Sequence, residues 1–203
     1  MTVDLQPSLF SDGLSADPGA LERRQHTELG NGAWIDHLEG WLTDDLAVFD
    51  ALSTHAPWRQ GRRVMYDREV DVPRLTAWCR DPARLPHPTL GRAFHALNAE
   101  YGPDPFTTAG LCWYRDGLDS VAWHGDNIRN SRAETVIAIV SLGAARPLQL
   151  RPRGGGPSLT FLLGHGDLFV MGGTCQTTWE HAVPKVRAAG PRISVQFRKA
   201  GVD

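Results

Sequence analysis

Two short stretches of this chain contain residues of the types and spacing that bind metals. His124 and Asp126 are separated by Gly125 alone, within a segment rich in aromatic and β-branched residues. Because residues i and i+2 of a β-strand point to the same face, this imidazole and this carboxylate would lie side by side. His181 stands in a second strand-like segment, and two histidines with one carboxylate form the facial triad of non-haem Fe(II) oxygenases. A His-x-Asp pair can equally be the polar edge of an ordinary strand.

The last strand-like segment offers a binding site for a carboxylate. Residues 192–198 alternate strictly, so that arginines at both ends share one face with a serine and a glutamine. A polar row of this kind commonly faces solvent. It can instead line the interior of a barrel, where a fixed guanidinium holds a carboxylate in a bidentate fork. A dicarboxylate that chelates iron at one end would need such an anchor at its other end.

Taken together, these features resemble the AlkB family of Fe(II)/2-oxoglutarate dioxygenases. The resemblance covers roughly residues 55–200 and rests on six segments in the family's order. Six ordered matches are far more specific than any one of them. The segments are PRLTAW (73–78), WYRDGLDSVAWHGD (113–126), SLGAARPLQLR (141–151), GHGDLFVM (164–171), WEHAVPK (179–185) and PRISVQFR (191–198).

The resemblance implies a metal site and a cosubstrate site. His124, Asp126 and His181 would bind Fe(II), and 2-oxoglutarate and O2 would be the cosubstrates. The implied reaction is oxidative demethylation of alkylated nucleobases in DNA, with RNA as a second candidate. It would release succinate, CO2 and formaldehyde.

Three further residues would contact 2-oxoglutarate on the same reasoning. Arg192 would pair with its distal carboxylate, and Tyr114 would donate a hydrogen bond to it. Arg198 would hold the metal-chelating end or orient Asp126. The chain departs from the family at Cys112, where many members have an asparagine, and so would lose one of these hydrogen bonds.

Contacts with the target base are implied for four residues. Met65 and Tyr66 match the variable lid of the family, here about residues 55–80, which covers the target base. Trp123 flanks a metal ligand and could contact the base, although a tryptophan in a strand is more often part of the core. Ile128 stands where repair enzymes place an acid that reaches the methylated ring, which weakens the case for a cationic lesion.

Two other functions remain compatible with the sequence. The first keeps Fe(II) and 2-oxoglutarate but hydroxylates a protein, a lipid or a small molecule. The second is a non-catalytic β-barrel that binds nucleic acid and takes up no iron. The basic residues at positions 59, 62, 63, 68 and 74 would suit phosphate contacts, which favours a nucleic-acid substrate.

The elements that must position these residues follow from the hydrophobic pattern. Residues 35–53 have a helix-like recurrence with Thr43 as N-cap, and a second helix is expected from Thr89 to Tyr101. After Phe106, eight short apolar segments alternate with Gly- and Pro-containing turns. We therefore expect an α+β protein with a double-stranded β-helix (jelly-roll) core, N-terminal helices on one side, and a nucleotide-recognition lid.

Composition sets the broader limits. Residues 1–50 carry ten acids and two arginines, whereas residues 51–203 carry 13 acids and 19 lysines and arginines. We expect an acidic arm over residues 1–30, extended or partly disordered, and a single dioxygenase domain over residues 31–203. Three widely spaced cysteines fit a reducing cytoplasm, and no apolar run is long enough for a bilayer. We expect a cytoplasmic monomer with no membrane partner.

Overall fold

The described part of the chain forms twelve β-strands and three α-helices. A computed structural model describes residues 15–65, 68–102, 106–126, 134–199 and 202, with the side chains of residues 63–70 left out. The strands are β1 (Gln25–Gly30), β2 (Ala33–Leu38), β3 (Arg59–Met65), β4 (Arg68–Cys79), β5 (Thr108–Tyr114), β6 (Val121–His124), β7 (Ile137–Gly143), β8 (Arg146–Pro152), β9 (Leu159–Leu163), β10 (Asp167–Gly173), β11 (Trp179–Val183) and β12 (Arg192–Arg198). The helices are α1 (Asp45–His55), α2 (Pro88–Tyr101) and α3 (Cys175–Thr178).

The strands build two antiparallel sheets. One has eight strands in the order β1-β2-β10-β7-β12-β5-β4-β3, and the other has four in the order β6-β11-β8-β9. Each of the eight segments predicted after Phe106 contains one strand, from β5 to β12, which confirms the expected antiparallel β core. A mixed α and β protein built on such sheets is consistent with a jelly roll.

The helices α1 and α2 cover one face of the eight-stranded sheet. Helix α2 begins with a proline at its first position, ends before Gly102, and buries one apolar stripe, as its sequence predicted. Alternate residues of β7 and β12 form the sheet side of this core. The packed side chains include Val48, Leu52, Leu90, Leu97, Val140, Leu142, Ile193, Val195 and Phe197. Among the described residues, no helix is long and apolar enough to cross a bilayer.

The opposite face of the eight-stranded sheet turns toward the four-stranded sheet. A second apolar cluster fills part of the space between them, with Ile139 and Phe169 from one sheet and Leu148 and Val183 from the other. Because strand side chains alternate, β7 contributes to both cores. The remaining space between the sheets is the pocket described below.

The predicted helix over residues 35–53 is only partly correct. Residues up to Leu38 belong to β2, which pairs with β1 and β10, and the helix starts at Asp45 with Asp44 rather than Thr43 as N-cap. The spacing of Ile35 and Leu38 fits a helix by coincidence. These residues form a strand because β2 is paired with a neighbouring strand on each of its edges.

The predicted acidic arm also needs correction where the structure describes it. Residues 1–14 lie outside the described part. From residue 15 onward the chain belongs to the domain, with a 3-10 helix at Pro18–Arg23 followed by β1. Buried Asp36 ties this region down, because its carboxylate accepts hydrogen bonds from Arg24 Nε at 3.0 Å and from Tyr101 Oη at 2.7 Å.

Truncation of Leu97 tests the helix–sheet core. Leu97→Ala removes a side chain with no exposed surface from α2, so we expect the free energy of unfolding to fall by about 2–5 kcal/mol. Leu118→Ala is the control, because Leu118 is 66% exposed, and its loss should change stability by about 0.5 kcal/mol at most. Equal effects of the two substitutions in urea unfolding would contradict this packing.

Candidate active site

The pairing of β11 with β6 brings the two predicted histidine ligands together. His181 lies directly opposite His124 in this ladder, and their ring centroids are 4.2 Å apart. Asp126 follows β6 after Gly125, and one ligand atom from each of the three residues lies within 4.8 Å of the others. Within the described ranges this is the one cluster of three side chains able to hold a metal. The donor set fits Fe(II), which accepts imidazole nitrogens and carboxylate oxygens.

Hydrogen bonds orient the ligand atoms toward a common centre. His124 Nδ1 lies 2.9 Å from the carbonyl oxygen of Ala122. Since a carbonyl can only accept, Nδ1 is the donor, and Nε2 is the ring nitrogen left to bind a metal. His124 Nε2 lies 3.7 Å from Oδ1 of Asp126. This is the arrangement in which a neighbouring acceptor fixes the tautomer of a metal-binding histidine.

Two residues that the sequence analysis did not single out hold the loop between the ligands. Gln176 Oε1 accepts a hydrogen bond from the backbone N–H of Asp126 at 3.0 Å. The Arg153 Nη2 donates to the carbonyl oxygen of Gln176 at 3.1 Å, behind Gly125. A Cβ at position 125 would lie 2.5 Å from that nitrogen and 2.6 Å from that oxygen, so the turn requires glycine. The glycine was visible in the sequence, but its two neighbours come from distant segments.

Charge and burial set the protonation of the site. Burial, together with the proximity of His124 and Arg198, holds the pKa of His181 well below its usual value. His181 is therefore neutral at physiological pH, which is the form that binds metals. Asp126 is also buried, and its Oδ2 lies 3.1 Å from Nη2 of Arg198.

The polar row of β12 lines a pocket between the sheets, which excludes the alternative of a solvent-facing row. Arg192 is 1% exposed, and its Nε donates a hydrogen bond to Ser141 Oγ at 2.7 Å. The two histidines of the metal-ligand cluster and Arg192 thus line one cavity. Its walls are formed by Arg74, Cys112, Tyr114, Val121, His124, Ile139, Leu148, His181, Val183, Arg192, Ser194, Gln196 and Arg198.

Burial acts differently on the two polar groups at the Arg192 end of the pocket. It lowers the pKa of Arg192, yet a guanidinium starts so high that it stays charged. It raises the pKa of Tyr114, so the phenol stays protonated and can donate a hydrogen bond. The Arg192 guanidinium carbon lies 5.4 Å from the centre of the Tyr114 ring. A fixed cation and a hydroxyl donor side by side can bind a carboxylate.

The predicted base contacts are only partly covered by the structure. Tyr66, Ile128 and the side chain of Met65 lie outside the described residues. Trp123 is not among the residues that line the pocket, because it points to the opposite face of β6 from His124. Its ring packs under the guanidinium of Arg151, with the guanidinium carbon 4.2 Å from the ring centre, so the predicted substrate contact is not supported.

The basic residues suited to phosphate contacts all lie on the strands β3 and β4. Position 59 starts β3, which pairs with β4 in an antiparallel hairpin at the edge of the eight-stranded sheet. Arg74 of β4 turns out to line the pocket, a position that the sequence did not reveal. Trp78, on the same strand, is 43% exposed beside Gly110.

The comparison with protein families identifies the family to which this site belongs. The family model of the 2OG-Fe(II) oxygenase superfamily matches residues 63–198, which include the cluster and both pocket arginines of β12. The chain belongs to this superfamily. Residues 63–198 therefore contain an Fe(II)/2-oxoglutarate-dependent dioxygenase domain, whose cofactor is Fe(II) and whose cosubstrates are 2-oxoglutarate and O2, as the sequence predicted.

Similarity to individual proteins confirms the predicted AlkB membership. The chain is 31% identical over 178 residues to alpha-ketoglutarate-dependent dioxygenase alkB homolog 3 of Bos taurus, covering 77% of this chain and 62% of that protein. It is 26% identical over 216 residues to DNA oxidative demethylase ALKBH2 of Arabidopsis thaliana, covering 86% of this chain and 69% of that protein. The match thus spans about 62% of the length of the alkB homolog 3 relatives.

Loss of the Gln176 side chain should weaken metal binding without removing a ligand. Gln176→Leu leaves the Asp126 N–H without its buried acceptor, so we expect about 10- to 100-fold weaker Mn(II) binding by calorimetry. Gln60→Leu, on the β3–β4 hairpin, is the control and should bind Mn(II) like the wild type. Unchanged affinity in a folded Gln176→Leu protein would show that this hydrogen bond does not position Asp126.

Proposed function

We propose that this protein removes alkyl groups from nucleobases of DNA by oxidation, with RNA as a second substrate. The observation that supports this most is that both histidines of the His-Asp-His cluster line one pocket with a buried arginine anchor. The relatives named alkB homolog 3 and DNA oxidative demethylase support the choice of nucleic acid. The released products would be succinate, CO2 and formaldehyde.

Each end of the pocket has its own task in this proposal. His124, Asp126 and His181 hold Fe(II). Arg192 receives the distal carboxylate of 2-oxoglutarate, and Tyr114 donates a hydrogen bond beside it. With the cosubstrate and O2, the iron supplies the oxidising power for attack on the alkyl carbon.

Arg198 links the metal site to the rest of β12. Its guanidinium lies against Asp126 Oδ2, which orients this carboxylate. This is a task of orientation, and the chain's own residues carry it out.

A target base must leave its stack before it can reach this pocket. We propose that the β3–β4 hairpin is the lid that receives it, because β4 carries Arg74 into the pocket wall and exposes Trp78 nearby. Met65 and Tyr66 stand near the tip of this hairpin in the sequence and remain candidates for base contacts. Stacking on an aromatic side chain contributes about 1–3 kcal/mol per base.

One observation favours a second candidate function. Arg74 places a positive charge in the pocket, and the segment after Asp126 provides Ile128 where an acid would favour a cationic base. A neutral substrate would avoid this repulsion, so hydroxylation of a protein, lipid or small molecule is the alternative. An oligonucleotide panel with 1-methyladenine, 3-methylcytosine and ethenoadenine distinguishes them. Base repair measured by product mass supports the demethylase, and 2-oxoglutarate consumption without repair supports the alternative.

Removal of any metal ligand should abolish turnover while the fold persists. We expect single replacements of His124, Asp126 or His181 by alanine to release no formaldehyde from a methylated oligonucleotide that the wild type repairs. Circular dichroism should show the wild-type spectrum. Full activity in any of the three variants would remove that residue from the metal site.

Loss of the Arg192 anchor should weaken the binding of the cosubstrate alone. Arg192→Met removes the buried fork, so we expect the 2-oxoglutarate concentration for half-maximal rate to rise about 10- to 100-fold, since charge-assisted hydrogen bonds contribute about 1.5–3 kcal/mol. Arg187→Met is the matched control, because Arg187 is exposed in the loop between β11 and β12. An unchanged cosubstrate requirement in Arg192→Met would refute the anchor.

A further inference from the structure

Arg146, the first residue of β8, is a fully buried cation outside the described pocket wall. It has no exposed surface, and Asp116 and Asp119 are near enough to act on its charge. Its two Nη atoms donate hydrogen bonds to three backbone carbonyls, whereas its Nε has no partner among the described residues. Nη1 donates to the carbonyl of Asp116 at 2.6 Å, and Nη2 donates to the carbonyls of Asp119 at 2.8 Å and Pro184 at 2.9 Å.

Burial of such a charge is unfavourable in itself. Desolvation of an ion costs several kcal/mol, and an apolar side chain of similar volume would avoid that cost. The pKa of Arg146 is lowered by this burial. Because an apolar side chain would avoid this cost, we expect the Arg146 guanidinium to have a role that an apolar side chain could not fill.

The three carbonyls belong to two neighbouring loops, each connected to strands that carry active-site residues. Asp116 and Asp119 lie in the loop that joins β5, which ends at Tyr114, to β6, which carries His124. Pro184 directly follows β11, which carries His181. One guanidinium thus links the connections of three site-bearing strands.

The same loop is tied to the proposed lid. The Ser120 N–H donates to the carbonyl oxygen of Pro73 at 2.7 Å, and Arg74 Nη1 donates to the carbonyl oxygen of Ser120 at 3.2 Å. Asp119 is held in addition by Arg115, whose Nε and Nη2 reach its two carboxylate oxygens at 2.7 and 2.9 Å. Arg146 therefore anchors a loop that contacts the β3–β4 hairpin as well.

Arg146 also contacts the proposed cosubstrate site directly. Its guanidinium carbon lies 5.7 Å from the centre of the Tyr114 ring, and that of Arg192 lies 5.4 Å from the same centre. Both distances are within the range of cation–π attraction. The ring that carries the phenol donor is thus packed against two guanidinium groups.

We propose that Arg146 is a positioning residue for 2-oxoglutarate, acting through Tyr114. It holds the Tyr114 ring and the loop after it, so that the phenol hydroxyl stays beside Arg192. The inference rests on the proposed assignment of Tyr114 and Arg192 to the cosubstrate. The proposed role involves no contact with the substrate, so the binding of 2-oxoglutarate can be measured without nucleic acid.

A double-mutant cycle tests this role. Arg146→Lys keeps the charge, but a lysine lacks the planar fork that spans three carbonyls and packs on the ring. 2-Oxoglutarate is titrated into Mn(II)-loaded wild type, Arg146→Lys, Tyr114→Phe and the double variant. We expect each single change to weaken binding about tenfold and the double variant to bind like Tyr114→Phe, because the hydroxyl that Arg146 positions is then absent.

Controls separate positioning from general damage. Arg187→Lys, at an exposed position in the loop between β11 and β12, should bind 2-oxoglutarate like the wild type, and Mn(II) affinity should be equal in all variants. Wild-type affinity in Arg146→Lys, or fully additive losses in the double variant, would overturn the inference while leaving the role of Tyr114 intact. No effect of Tyr114→Phe would instead refute the cosubstrate assignment and the inference with it. If Arg146→Lys does not fold, Arg146→Gln serves in the same cycle with the same outcomes.

Discussion

The register between β11 and β6 is the constraint on which the whole site depends. A shift by one residue would turn His181 to the outer face of the four-stranded sheet, because strand side chains alternate. Both edges of β11 are paired, with β6 on one side and β8 on the other. On the outer face, Arg151 of β8 donates a hydrogen bond to Glu180 of β11 at 3.0 Å. The Arg151 guanidinium also packs over the ring of Trp123 of β6. Trp123 and Glu180, the residues next to the two metal-binding histidines, thus both contact Arg151. These contacts hold β6, β8 and β11 in one register.

Electrostatics explains why a diacid suits this pocket. Its lining includes Arg74, Arg192 and Arg198, while Asp126 supplies negative charge at the metal end. Buried cations without counter-charge are unfavourable, and a bound dicarboxylate would supply that charge at the Arg192 end. The metal would in turn supply positive charge beside the Asp126 carboxylate. In the proposed account, cosubstrate and metal therefore stabilise opposite ends of a pocket that the fold has already assembled.

Most of the site could be predicted from the sequence because several of its functional residues are close to one another in the chain. His124 and Asp126 share a strand end, and the alternation of β12 requires Arg192 and Arg198 to share a face. Which face that is depends on the second sheet, so the sequence alone left it open. Gln176 and Arg146 escaped prediction because their partners are backbone groups brought close only by folding. Residues 35–38 misled the helix prediction, because short apolar runs fit both periods.

Direct observation of the metal and the diacid tests the central claim. Crystals of the chain grown with Mn(II) and 2-oxoglutarate, without O2, would locate the metal by its anomalous scattering. The account predicts one metal bound by His124, Asp126 and His181, with the distal carboxylate of 2-oxoglutarate on the guanidinium of Arg192. A metal bound elsewhere, or a cosubstrate that makes no contact with Arg192, would contradict it.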